Sequence, residues 1–328
     1  MRKSNLIVLL LAALVMFAAC NSGQKQFIIE GTTQGSYFRI NYVADKEDTI
    51  LVGEINRLLS SFENTFSLWN DSSELCRINR NEIVKMSPLF KDVFEKSQLM
   101  SERTNGYFDI TVKPLVSLYG FAVEKRTENY FSDETIASAK KNIGYRKIHI
   151  ENNTLVKQNP EIQLDFNAMA QGYCADMVAE FLLSKNIKNF IVDIAGEIVV
   201  RGKKANGESW QIGIEKPAAT AQDKQSILTT VSLQDSSLVT SGNYRKYFEV
   251  DGKRFSHTIN PHTGRPASNG VLSVTIKAAT GWEADALSTA IMCMGKDTAI
   301  SYAERTNIRC MIIYDSLGNY KTWQSKNF

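Results

Sequence analysis

Tyr244-Arg-Lys-Tyr-Phe-Glu-Val250-Asp251-Gly252-Lys253-Arg-Phe-Ser-His257-Thr-Ile259 is the stretch that decides the fold. Two runs rich in aromatic and apolar residues flank Asp-Gly, a pair that tolerates the positive φ angles of a two-residue hairpin turn. The same signal recurs outward from it. Lys147 to Ile150 and Thr154 to Lys157 flank Asn152-Asn153, and Phe27 to Tyr42 reads as extended chain around a turn at Gly31-Thr-Thr-Gln-Gly35. Asn189 to Asp193, Val271 to Lys277 and Ile308 to Tyr314 read as further strands. Helical spacing covers Glu47 to Phe62, Ser87 to Thr104, 132–143, Ala168 to Ser184 and Trp282 to Met294. Ser87-Pro88 supplies a cap and then a proline at the first helical position, and Gly106 ends that helix. Residues 203–208 and 216–226 are polar and loop-like. Hairpins are frequent and no strand-helix-strand rhythm appears, so we expect an α+β fold with mainly antiparallel sheets and packed helices. No internal repeat shows by eye and no linker divides the chain. Residues 27–328 are therefore expected to form a single domain, whether one body or two interlocked lobes.

The N-terminus reads as a targeting segment. Arg2 and Lys3 precede an apolar run from Leu6 to Phe17, too short to cross a bilayer comfortably, and Ala18-Ala19-Cys20 follows. This resembles a bacterial lipoprotein signal. It implies a signal peptide at 1–19, a lipid on Cys20 and a polar tether at 20–26. The expected location is extracytoplasmic or periplasmic, on a bacterial membrane. The alternative is an ordinary signal peptide cleaved near Ala19.

Composition excludes some functions. Apolar residues make up 43% and charged residues 22%, ordinary for a globular chain. The net charge of +3 falls further once Arg2 and Lys3 are removed, which argues against a broad nucleic-acid surface. Cys76, Cys174, Cys293 and Cys310 are scattered without a Cys-x-x-Cys pair. Cys174 and Cys293 sit in apolar helical patterns, so buried free thiols are expected.

Chemistry concentrates in three places. The decapeptide His257-Thr-Ile-Asn-Pro-His-Thr-Gly-Arg-Pro266 holds two of the three histidines in a proline-glycine turn, so His257 and Thr258 would project from a rigid edge. Asp285 and Thr289 lie four apart on a helix, with both oxygens on one face. A carboxylate and a hydroxyl there suit Mg²⁺, or they simply serve the helix dipole and backbone. Leu164-Asp165-Phe-Asn-Ala168-Met-Ala-Gln171-Gly172 delivers Asp165 to a helix start, where free N–H groups suit phosphates or where Asp165 is merely a cap. In a further turn, Asp193-Ile-Ala-Gly196-Glu197, the glycine either permits close ligand approach or simply makes a tight turn, the second being favoured. There is no Walker A loop, Gly-x-Gly-x-x-Gly or legible Ser-His-Asp set, and no cysteine with a suitable base.

In this order the segments resemble the ApbE family of exported FAD:protein FMN transferases. The resemblance is carried by Thr33-Gln-Gly-Ser-Tyr37, Phe66-Ser-Leu-Trp69 with Ser73-Glu74 and Asn79, and Gly106-Tyr-Phe-Asp-Ile-Thr111 with Pro114-Leu115. It continues through Asp165 to Gly172, Asp193 to Gly196, Ser241-Gly242, His257 to Pro266 and Asp285-Ala-Leu-Ser-Thr289. It implies FAD as substrate, with its pyrophosphate on Mg²⁺ held by Asp285, Thr289 and the carbonyl of Ala168. It places flavin binding on Gln34, Trp69, Tyr107, Phe108, Asp109, Asp165, Gln171 and His257, with Thr258 beside them. Two positions depart from the family's pattern: Gln34 stands where Met is common, and Gln171 where Lys is frequent.

The implied reaction is attack of an acceptor protein's Thr or Ser hydroxyl on the FMN phosphorus, with AMP leaving. His257 and Asp285 are both candidate bases. The acceptors implied are exported flavoproteins and membrane redox complex subunits bearing a Ser/Thr motif. Two other readings use the same residues: an FAD pyrophosphatase releasing FMN and AMP, and a lipoprotein that stores FAD without chemistry.

Overall fold

The computed structural model describes residues 23–123, 132–217, 226–243, 247–250 and 253–328. The expected signal peptide, Cys20 and the Asp251-Gly252 turn lie outside the described residues. β1 (Lys25–Thr33) and β2 (Ser36–Ala44) form the first hairpin. Its turn is only Gln34-Gly35, with φ of 51° and 69°, because Gly31 to Thr33 stay in register with Ser36 to Phe38. Lys25 and Gln26, read as tether, already pair with Ala44 and Val43.

Four helices follow: α1 (Ile50–Phe66), α2 (Glu74–Asn79), α3 (Pro88–Arg103) and α4 (Lys113–Leu118). Ser87 caps α3 as its sequence implies, accepting from Phe90 N at 3.1 Å. After α5 (Asp133–Lys140), β3 (Ile148–Glu151) and β4 (Thr154–Lys157) pair around Asn152 and Asn153, both at positive φ. The first half closes with α6 (Ala170–Ser184), β5 (Phe190–Ile194) and β6 (Glu197–Arg201).

The hairpin of β7 (Trp210–Glu215) and β8 (Ile227–Leu233) leads to β9 (Ser236–Gly242). The stretch read first appears as β10 (Tyr247–Val250) against β11 (Lys253–Ser256). It differs in one respect. The second strand ends at Ser256, not Ile259, and Ile259–Asn260 (β12) turns away to pair with Arg265–Pro266 (β13). The chain ends with β14 (Val271–Ala278), α7 (Gly281–Met294), α8 (Lys296–Thr306), β15 (Arg309–Ser316) and β16 (Asn319–Gln324).

Eight strands make one sheet in the order β1-β2-β5-β6-β9-β14-β15-β16, and every pairing among the described strands is antiparallel. The expected α+β class is therefore the observed one. One sheet face is covered by helices: α6 packs on β5 and β6, α7 on β9 and β14. The core there runs from Ile29 through Phe62, Phe90 and Phe166 to Ile312. On the other face Trp210, Ile212 and Ile214 of β7 cover Val200, Met311 and Ile313. Strand alternation sends successive side chains into these two layers. All four described cysteines are buried free thiols. Among the described residues no helix is long and apolar enough to cross a membrane.

α6 and α7 meet at a glycine pair. A Cβ on Gly172 would lie 2.3 Å from the Gly281 carbonyl oxygen and 2.7 Å from Asp285 Cβ, and one on Gly281 would lie 2.4 Å from the Gly172 oxygen. These are backbone obstacles, so an added methyl must push the helices apart. We expect Gly172→Ala to lower stability by about 3 kcal/mol, the upper end of ordinary overpacking. Gly53→Ala, where a Cβ meets only Arg57 Nη1 at 3.8 Å, should raise stability by about 0.5–1 kcal/mol. Urea denaturation of both variants checks the contrast.

Candidate active site

The centre of the site is where α6 crosses α7. Asp285, one turn into α7, is buried, and its Oδ2 accepts from the Gly172 N–H at 3.0 Å. Burial pushes the carboxyl up to about 7, and Asp176 nearby adds to the rise against the pull of that N–H. Among the described residues its Oδ1 accepts no hydrogen bond. Thr289 lies one turn further along, half-buried, with its hydroxyl 3.4 Å from Ser241 Oγ at the end of β9. Ser241 and Ser288 hydroxyls are 2.6 Å apart. Asp176 of α6 accepts from Gly281 N at 2.7 Å and Trp282 N at 2.9 Å, and burial raises its carboxyl to about 6 despite them. Thr280, which precedes α7, makes no side-chain cap.

The loop into α6 is fixed at several points. Asn79 at the end of α2 pairs with Leu164 in both directions, accepting from its N–H at 2.7 Å and donating to its carbonyl at 2.9 Å. Asp165 N donates to Ile110 O at 2.7 Å, and Asp165 Oδ1 accepts from Asn167 N at 2.8 Å. Ala168 and Gln171 follow, both half-buried. Asp109 is buried and accepts from Thr111 N, Thr111 Oγ1 and Tyr145 N, and burial raises its pKa against those three donors. Phe108 lies in the core, which leaves only its backbone to face a ligand. Tyr107 packs its ring edge-on to His262 at 4.4 Å.

The decapeptide is wedged between α5 and α7. Asn260 Nδ2 donates to Cys293 O at 2.9 Å while its Oδ1 accepts from His262 N and Thr263 N. Lys140 Nζ donates to His262 O at 2.5 Å, and Arg265 pairs with Asp133. Gly264, at φ 73°, fits because a Cβ there would strike Ile136 at 2.6 Å. His257 is half-buried with Phe121 at 6.3 Å, and Thr258 is buried with its carbonyl accepting from Ala267 N.

Two residues stand at the rim. Gln34, in the first hairpin turn, donates its N–H to Glu63 Oε1 at 2.5 Å, and its side-chain nitrogen is buried beside the Cys174 thiol without an oxygen partner. Trp69 follows α1 and is 65% exposed.

The model of the ApbE family matches residues 34–312 of this chain. The chain belongs to the ApbE family. It is 35% identical over 324 residues to the FAD:protein FMN transferase of Vibrio cholerae, covering 97% of this chain and 96% of that protein. It is 34% identical over 333 residues to the FAD:protein FMN transferase of Haemophilus influenzae, covering 98% and 96%. The solved flavin transferase ApbE from Vibrio cholerae superposes with a TM-score of 0.84 at 33% identity, covering 93% of this chain and 98% of that one.

Within this ApbE-family fold, bonds join most of the segments that carried the resemblance. The Asp165 turn meets Ile110, Gly172 meets Asp285, Ser241 meets Thr289, and the decapeptide meets both Tyr107 and α7. Trp69 makes no ring contact to any of them among the described residues. Asp176 and Asn260 were missed by sequence reasoning. Asn260 sat within the decapeptide but lacked an assigned role. Asp176 sits in a sequence pattern that Asp285 shares. A groove of about 420 Å³ lined by Ile83, Leu155 and Lys157 holds none of the expected site residues.

Donor chemistry tests the implied Mg²⁺. No group of three or more His, Cys, Asp or Glu among the described residues could hold a metal. A carboxylate with one oxygen unbonded, a hydroxyl and a carbonyl are hard oxygen donors that fit Mg²⁺ and leave positions for phosphate oxygens. A buried, uncompensated Asp285 is also the group that a cation would relieve. For the supporting loop, Asn79→Ala leaves both backbone groups of buried Leu164 unpaired. We expect a loss of about 1–3 kcal/mol in thermal or urea unfolding.

Proposed function

We propose that the protein transfers FMN from FAD to a Thr or Ser hydroxyl of an acceptor protein and releases AMP. The observation that carries this is the pairing of Asp285, one oxygen unbonded, with Thr289 and the α6 start, in a chain so similar to FAD:protein FMN transferases. Asp285, Thr289 and the Ala168 carbonyl would hold Mg²⁺. When bound, the ion supplies positive charge to the FAD pyrophosphate as the bond to AMP breaks.

The rest belongs to the chain. Trp69 offers an exposed aromatic face for stacking on a ring of the dinucleotide. Gln34 would meet the flavin from the first hairpin turn, and Gln171 leaves the α6 start without a lysine. Tyr107, His262 and the decapeptide brace one another, so His257 is held at a fixed edge. Asp285 is committed to Gly172 and to the metal, which makes His257 the base we assign. It takes the acceptor hydroxyl proton as that oxygen bonds to the FMN phosphorus and the phosphoanhydride oxygen leaves on AMP. The acceptors are exported flavoproteins or membrane redox subunits with a Ser/Thr motif.

Intact-mass measurement of a candidate acceptor incubated with FAD, Mg²⁺ and the protein tests the reading. The acceptor should gain one FMN mass, and EDTA should prevent it. Asp285→Ala should slow transfer by about 100-fold or more, the scale for removing a principal electrostatic stabiliser. Transfer at the normal rate by Asp285→Ala would remove the metal assignment. Hydrolysis of FAD by water at the same residues is the other outcome this measurement distinguishes. Stoichiometric FMN and AMP release without acceptor would establish that instead.

We also infer export and lipidation at Cys20, from the charged, apolar and small-residue order of residues 1–19. The mature chain would begin at Cys20, and residues 27–328 would act as one catalytic domain on the extracytoplasmic side. The wild-type protein should sediment with membranes, while Cys20→Ser should shift it to the soluble fraction.

A further inference from the structure

Two stretches of this chain share a pattern. Ala170-Gln-Gly172-Tyr-Cys-Ala175-Asp176-Met-Val178 and Ala279-Thr-Gly281-Trp-Glu-Ala284-Asp285-Ala-Leu287 both read Ala-x-Gly-aromatic-x-Ala-Asp-x-aliphatic. Each opens a helix, and the surroundings repeat as well. Strands β1 and β2, helix α6 and strands β5 and β6 run along the sheet in the same order as β9 and β14, α7 and β15 and β16. The expectation of no internal repeat is thus corrected. Insertions at 45–169 and 243–270 break the two copies at different places and hide the period.

The copies contact each other reciprocally. Gly172 N of one donates to Asp285 of the other, and Gly281 N donates to Asp176 in return. The symmetry fails at one bond. Asp176 also accepts from Trp282 N, because α7 begins at Gly281 and that N–H has no partner inside its helix. The equivalent Tyr173 N donates to Met169 O at 3.0 Å, because the chain is already turning before α6. Asp176 therefore has both oxygens occupied by N–H groups, while Asp285 keeps Oδ1 open.

We propose that Asp176 is a positioning residue of the metal centre: it caps α7 from α6 and thereby sets the register in which Asp285 Oδ1 stays open to a cation. This rests on the metal reading above. If Asp176 is lost, two N–H groups at the start of α7 lose their acceptors. The α7 start then shifts, and the aim of Asp285 shifts with it.

The test uses purified full-length protein and Mn²⁺ as a paramagnetic stand-in for Mg²⁺, with bound and free ion resolved by electron paramagnetic resonance. Asp176→Ala should weaken Mn²⁺ binding by about 10-fold or more, as for other outer-sphere partners of metal ligands. Asp176→Asn, which retains one acceptor oxygen, should fall between it and the wild type. Leu59→Ala, on the buried face of α1, should lower Tm without altering Mn²⁺ affinity. Wild-type Mn²⁺ affinity in Asp176→Ala, or equal weakening in Leu59→Ala, would overturn the positioning role. If the wild type itself binds no Mn²⁺, the metal reading fails first and this inference falls with it.

Discussion

The structure depends on a contact with no side chain in it. Gly172 and Gly281 bring two helix backbones so close that a single methyl on either would strike a carbonyl oxygen. Only at that separation can a carboxylate on one helix reach an N–H at the start of the other. The free N–H groups of a helix start attract anions, and here each helix receives one from its neighbour. The sheet below sets where the helices begin, since β6 and β9 pair directly and carry α6 and α7 beside each other. Close packing, capping and the exposure of one carboxylate oxygen are consequences of one geometric condition.

Around that crossing, precision comes from loops tied at both ends. Asn79 clasps Leu164 like a strand partner, although the two residues are 85 apart in the chain. Asn260 does the same for the decapeptide, holding α7 with one side-chain atom and its own turn with the other. Asp109 illustrates a carboxylate fully occupied by structure, with three donors around it and burial working against its charge. Asp285 has a single donor and differs in kind. Three donors hold Asp109 in the fold, whereas Asp285 keeps one oxygen for chemistry.

Local signals made much of the fold legible. Ser87-Pro88 and Asn152-Asn153 act through dihedral angles and caps that need no tertiary partner, so they read correctly from the chain. Gln34-Gly35 shows the limit. Gly31 suggested a wide turn, but pairing with Phe38 carries the strand past it. β6, β9 and β16 went unread because their faces are set by neighbours distant in the chain. At the site, Asp285, Thr289 and Asp165 were legible as residue types at helix positions. Asp176 was not, since an acidic residue inside a helix looks like surface until the second helix is seen. The repeat that would have exposed it is diluted by two long insertions.

The start of α7 has no capping group of its own. Its acceptor comes from a residue 105 positions earlier, and Asp285 finds its donor 113 positions away. Those contacts form only after the chain has closed very long loops, which is slow relative to local turns. A nascent or partly unfolded chain therefore has hairpins and helices but no assembled carboxylate centre. Assembly of the centre and completion of the fold become the same event, so a protease or chaperone that senses the loosened α6–α7 pair would also be sensing loss of that centre.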